Sequence, residues 1–116
     1  MIRKIFFSFF FILSYSIGFT QLSKVHYIPP LTSGPSNADP LDQWFYISTP
    51  KNGDVSFKVI PVGDPSQETS YIVNNANPKK IQIASLGYSQ LFQDPQTPST
   101  VTTNKGYIIE SQDVIY

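Results

Sequence analysis

The 116-residue chain carries eight basic and eight acidic side chains, one histidine and no cysteine. This composition excludes a disulfide-stapled scaffold and any thiolate-ligated zinc site. It also leaves no basic excess with which to neutralise nucleic-acid phosphates.

The chain opens with Arg3 and Lys4, followed by an apolar run from Ile5 through Leu13, and carries no further charge until Lys24. Gly18, Phe19, Thr20 and Gln21 then place small residues at the minus-three and minus-one positions of a cut after Thr20. A cationic start, an apolar stretch and small residues at a cut site, in that order, define a secretory signal. Residues 1–20 are therefore expected to be a cleaved signal peptide, and residues 21–116 an exported domain. The alternative is an uncleaved anchor, but a spanning helix needs about 20 apolar residues, and Ser14, Tyr15 and Ser16 dilute the second half of the stretch. No cysteine follows, so a lipid-modified N-terminus is excluded. Without the signal, six lysines face eight carboxylates, a formal −2, and no arginine remains. Only Lys79 and Lys80 are adjacent, so nucleic acid is not an expected partner, nor is a membrane once the signal is removed.

Beyond Gln21 the 3.6-residue helical period is absent. All ten prolines lie here, between short runs of Val, Ile, Phe, Tyr and Thr. Several such runs at regular spacing predict an all-β, antiparallel, sandwich-like domain. The expected strands lie near 24–28, 43–49, 54–62, 69–74, 79–84, 88–92, 106–110 and 114–116. Residues 29–40 and 93–103 read as loops, the second of which, with its low charge and threonines, also allows a ragged edge strand.

Lys51-Asn52-Gly53-Asp54 predicts a two-residue hairpin turn, with positive φ at Asn52 and Gly53. In that register Lys51 opposes Asp54, Ser48 opposes Phe57, Tyr46 opposes Val59 and Trp44 opposes Pro61. Opposed residues share a face, so Trp44, Tyr46, Val55, Phe57 and Val59 form the expected core face, with Phe45, Ile47, Ser56, Lys58 and Ile60 outside. Pro61 cannot donate to a ladder and marks a strand end at an edge or bulge. Residues 74–78 read as a turn-rich connection. Near the end, Asn104-Lys105-Gly106 and Ser111-Gln112-Asp113 read as turns, and residues 114–116 as the start of a further strand. A domain that stops there leaves a strand too short to pair, which gives the expectation of an incomplete domain continued in a larger protein.

No catalytic, cofactor or metal site is expected. His26 has neither a cysteine nor a second histidine to complete a zinc site, and it reads as a polar residue on the first strand. Glu68 and Glu110 are far apart in sequence, whereas glycosidases need paired carboxylates. A long-range pair such as Glu110 with Asp42 stays open. Asn37, Asp39 and Asp42 form an oxygen-rich loop of the kind that holds calcium, although Asn and Asp also fill turns by bonding their own backbone. Trp44-Phe45-Tyr46 is a candidate sugar platform, set against core packing, which the hairpin register favours.

Three stretches resemble a known family: Gln43-Trp44-Phe45-Tyr46-Ile47-Ser48-Thr49-Pro50; Val55-Ser56-Phe57-Lys58-Val59; and Asn104-Lys105-Gly106-Tyr107-Ile108-Ile109-Glu110-Ser111 with Val114-Ile115-Tyr116. They are similar to the IgGFc-binding protein N-terminal domain, as found in secreted, gliding motility-associated bacterial surface proteins. The resemblance covers roughly residues 21–116. It implies a long, multidomain secreted protein of β modules, sorted by a route like type IX secretion. The family name carries no Fc-binding residues onto this chain. The leading functional expectation is a non-enzymatic, structural or adhesive cell-surface module whose partner is a surface protein or a glycan. The alternative is a carbohydrate-binding module of a larger secreted enzyme; a third reading is a truncated frame without independent function.

Overall fold

The computed structural model describes residues 23–32, 40–93 and 102–116. The expected signal peptide, Asn37, Asp39 and residues 94–101 lie outside the described residues. The described chain is all-β, with strands β1 (Ser23–Ile28), β2 (Leu31–Thr32), β3 (Leu41–Ile47), β4 (Val55–Pro61), β5 (Thr69–Val73), β6 (Lys79–Leu86), β7 (Phe92–Gln93) and β8 (Tyr107–Ile115). A single 3-10 turn at Pro65–Gln67 joins β4 to β5. There the Asp64 carboxylate accepts from the Ser66 amide. Strands β1-β8-β4-β5 form one antiparallel sheet, and β3 and β6 form an antiparallel ribbon. The two-residue strands β2 and β7 pair in parallel.

The sheet and the ribbon are held together by residues that alternate inward. Phe45 and Ile47 of β3 and Ile81 of β6 meet Val55, Phe57, Val59, Val73, Tyr107, Ile109 and Ile115 of the sheet. The Phe45 ring stands edge-on to Tyr107 at 5.2 Å, and Phe57 stacks on Tyr71 at 5.5 Å. These apolar faces lie across from each other as the two layers of a sandwich. Burial pushes the Tyr107 phenol above its ordinary pKa.

The Asn-Gly hairpin does not form. β3 pairs with β6 and β4 pairs with β5 and β8, so the chain crosses from one layer to the other between Ile47 and Val55. Two contacts divert it. The Ser48 backbone donates to and accepts from Tyr116, at 2.9 Å each way, and the buried Thr49 hydroxyl donates to the Val114 carbonyl at 2.7 Å. The crest of this arch rests on the second crossover, from β5 to β6. The Asn75 amide donates to the Lys51 carbonyl, the Asn75 side chain to Asn52, and the Asn74 side chain to Asp54. Lys51 and Asp54 are thus partners of the 74–77 turn, not of each other.

Neither Asn52 nor Gly53 has positive φ, and a Cβ on Gly53 would meet nothing within 4 Å. Gly53→Val is therefore expected to change the stability by no more than a typical exposed-surface substitution, about 0.5 kcal/mol. The hairpin would have required a much larger loss, and finding one in a melting experiment would contradict the arch.

Two further expectations are corrected at the end of the chain. Ser111-Gln112-Asp113 makes no reversing turn; β8 runs on through it as a bulge. The β1 register slips from Val25↔Glu110 to Ser23↔Ile115, and the Ser111 hydroxyl donates to the Asp113 carbonyl. Residues 114–116 are not a new, unpaired strand. Val114 and Ile115 end β8, which lies between β1 and β4, and Tyr116, just past it, is bonded to Ser48. Of the expected 88–92 strand only its last residue lies in a strand, β7, whereas Leu31 and Thr32 pair where a loop was expected. Pro61 does end its strand: it reaches Tyr107 of β8 but lies beyond β5, whose first pair is Val59↔Thr69.

The bulge also holds a charge. The Asp113 carboxylate accepts from the Val114 amide at 2.8 Å and lies 3.1 Å from the Lys51 ammonium. The amide first, and the lysine second, hold its pKa below the ordinary 3.8. A carboxyl lowered by folding stabilises the fold above its unfolded pKa and loses that contribution as the pH falls through the folded value. The stability gap between the native chain and Asp113→Asn is therefore expected at neutral pH and should close below pH 3.8. Thermal melts of both proteins across that range test this; a gap that does not change with pH contradicts it.

Candidate functional site

The face assignment for β3 is reversed. Because β3 pairs with β6, its inward residues are Gln43, Phe45 and Ile47, and Trp44 and Tyr46 point outward. Tyr46 is 68% exposed and Trp44 is half-buried. Trp44 is therefore not a core ring, whereas Val55, Phe57 and Val59 are buried as expected. The register puts Gln82 of β6 opposite Trp44 and Lys80 opposite Tyr46. The Lys80 ammonium lies 4.0 Å from the Trp44 ring centroid and 5.4 Å from that of Tyr46. One cation thus serves the negative faces of two rings.

The aromatic row borders an open cleft of about 680 Å³ between the neighbouring edges of β1 and β3. Trp44 and Tyr46 flank it on the β3 side, His26 and Tyr27 on the β1 side, and Ile109 and Ile115 contribute apolar surface. Among the described residues β1 pairs only with β8.

His26 is positioned by its own ring. Its Nε2 lies 3.2 Å from the Ser23 carbonyl and 3.1 Å from the Ile115 carbonyl. Carbonyls only accept, so Nε2 carries a proton and donates, clipping β1 to the end of β8 beside the bulge. This is a structural duty for the chain's only histidine.

Strand pairing brings both glutamates to a single lysine. Lys58 of β4 is paired in register with Glu110 of β8, and its ammonium bonds the Glu68 carboxylate at 2.7 Å. Glu68 raises the Lys58 pKa above the ordinary lysine value. Asp42 is not beside Glu110. It sits in β3 of the other layer, with φ +29° and its carboxylate accepting from the Gln82 amide at 3.5 Å. Asp42 is thus a strand residue, not part of a loop; Asn37 and Asp39 lie outside the described residues. No group of three or more metal-ligating side chains converges among the described residues. No described helix is long and apolar enough to cross a membrane.

A buried polar cluster completes the other end of β3. The Gln43 amide donates to the Gly87 carbonyl at 2.6 Å and accepts from the Ser89 hydroxyl at 2.5 Å. This satisfies a side chain that would be costly to bury alone. Lys80 is the site residue that sequence reasoning missed. Its signal was the period-2 pattern of β6, which puts Lys80 and Gln82 on one face; that pattern becomes useful only once β6 is known to be the partner of β3. No family model, curated protein or solved structure matches the chain.

Proposed function

We propose that this chain is a non-enzymatic, exported surface module that acts by adhesion, as the resemblance to the IgGFc-binding N-terminal domain family suggests. The observation that carries the reading is the outward aromatic row of Trp44 and Tyr46 beside an open cleft. Exposed aromatic surface of this kind marks contact sites. Two further observations support contact over turnover: His26 spends its Nε2 on two carbonyls, and the glutamates flank a lysine.

The reading has two measurable parts. Mass spectrometry of protein recovered from the culture medium is expected to find Gln21 at the N-terminus; an intact Met1 on cell-bound protein overturns export. The purified chain is expected to turn over no peptide, ester or glycoside, and measurable hydrolysis of any of them overturns the non-enzymatic role.

The same aromatic row favours one second reading, a carbohydrate-binding module. Side chains two residues apart on a strand stand about 6.6 Å apart, a spacing that suits successive sugar rings.

A further inference from the structure

Resting on the carbohydrate-binding reading, we propose that the Trp44–Tyr46–Lys80 surface takes an acidic glycan, one whose sugars carry carboxylates. The argument starts from the charge at the centre of the row. Lys80 is exposed and its ammonium is held by two rings, at 4.0 and 5.4 Å. Among the described residues it makes no ion pair; the two pairs present are Lys51–Asp113 and Lys58–Glu68. The neighbouring Lys79 is directed to Tyr71, at 5.9 Å. The Asp42 carboxylate, on the same strand as the rings, accepts from Gln82 at 3.5 Å.

A sugar stacked on Trp44 and Tyr46 strips water from the Lys80 ammonium. A neutral sugar leaves that desolvated charge uncompensated, which is costly. A carboxylate on the sugar compensates it with a charge-assisted hydrogen bond, stronger than a neutral one. The rings supply stacking that is indifferent to ligand charge, and Lys80 supplies the discrimination. Because the rings hold the ammonium in place, less side-chain freedom is lost when the anion arrives.

The chain has one tryptophan, so its intrinsic fluorescence reads this surface directly. Titration of the full chain with an oligogalacturonate is expected to change Trp44 emission saturably. The neutral galactan oligomer of equal length should bind about tenfold more weakly, the scale of one hydrogen bond to a charged group. Added salt should weaken only the uronate complex. Lys80→Gln should bring uronate affinity down to the neutral level, and Tyr46→Ala should weaken both ligands, with circular dichroism unchanged in each. Equal affinity for the two oligomers, or full uronate affinity in Lys80→Gln, overturns the acidic-ligand inference and leaves sugar binding standing. Binding of neither oligomer by a folded protein overturns both.

Discussion

Truncation of Phe57 to alanine is expected to remove most of the stability of the fold. Phe57 lies in the middle of β4, the strand held between β8 and β5, and is 1% exposed. Its ring stacks on Tyr71 and its backbone pairs with Tyr71 and Ser111. Removing a buried phenylalanine side chain costs about 3–5 kcal/mol, because the lost transfer free energy is joined by an incompletely collapsed cavity. A domain of this size has about 5–15 kcal/mol in total. The urea midpoint should fall steeply, and at the lower end of that range the cooperative transition should disappear. Ile72→Ala, one residue from Phe57's partner but 56% exposed on the outer face, is the matched control and should change little. Equal losses from the two substitutions would mean that the inward set on β4 and β5 is wrongly assigned.

Gly106→Ala is expected to be the most damaging single-methyl change. Gly106 has φ +104°, outside the range that side-chain-bearing residues adopt easily, and a Cβ there would lie 2.5 Å from the Ile28 carbonyl oxygen. The conformation alone costs about 1–3 kcal/mol for a non-glycine residue, and the clash with backbone adds to it. The site is also a junction: the Gly106 amide donates to the Gln90 carbonyl at 2.6 Å, and its own carbonyl accepts from Val62 at 3.0 Å. The clash therefore falls where the end of β1, the approach to β7 and the start of β8 meet. A drop in thermal midpoint of several degrees is expected, against no comparable change for Gly53→Val, where space is open. A Gly106→Ala protein that melts like the native chain would refute this account of the junction.

These two glycines show what was legible. Alternation of Val, Ile, Phe and Tyr marked β1, β4, β5 and β6 close to their observed limits, because each strand buries one face and period-2 patterning follows from the pleat. Pairing was not legible in the same way. Asn52-Gly53 has the local chemistry of a hairpin, but Thr49 buries a hydroxyl against Val114 and Ser48 pairs with Tyr116. Those partners are more than sixty positions away, and no local rule sees them. The error in partner then became an error in face: with β4 opposite, Trp44 and Tyr46 read as inward, whereas with β6 opposite, Phe45 and Ile47 are inward. Phe45-Tyr46-Ile47 is apolar on both faces, so the sequence allowed either parity. Ser111-Gln112-Asp113 failed for a related reason, because residues that favour turns also serve a bulge. The site was half visible: Trp44 and Tyr46 were recognised as a possible platform, and Lys80 waited on the β3–β6 register.

The register between β1 and β8 has a mechanical consequence. Ser23 lies beside Ile115, and Tyr116 follows at once. Interstrand bonds run perpendicular to the strands, so tension applied at Ser23 and Tyr116 opens the ladder like a zipper, one rung after another, beginning at the bulge. Tension applied at Ile28 and Tyr116 loads the same rungs together, in shear. Under single-molecule force spectroscopy the first geometry is expected to yield at a clearly lower force than the second, and equal forces would argue against this register. In the first geometry the His26 clip to Ser23 and Ile115 spans the rung that tears first.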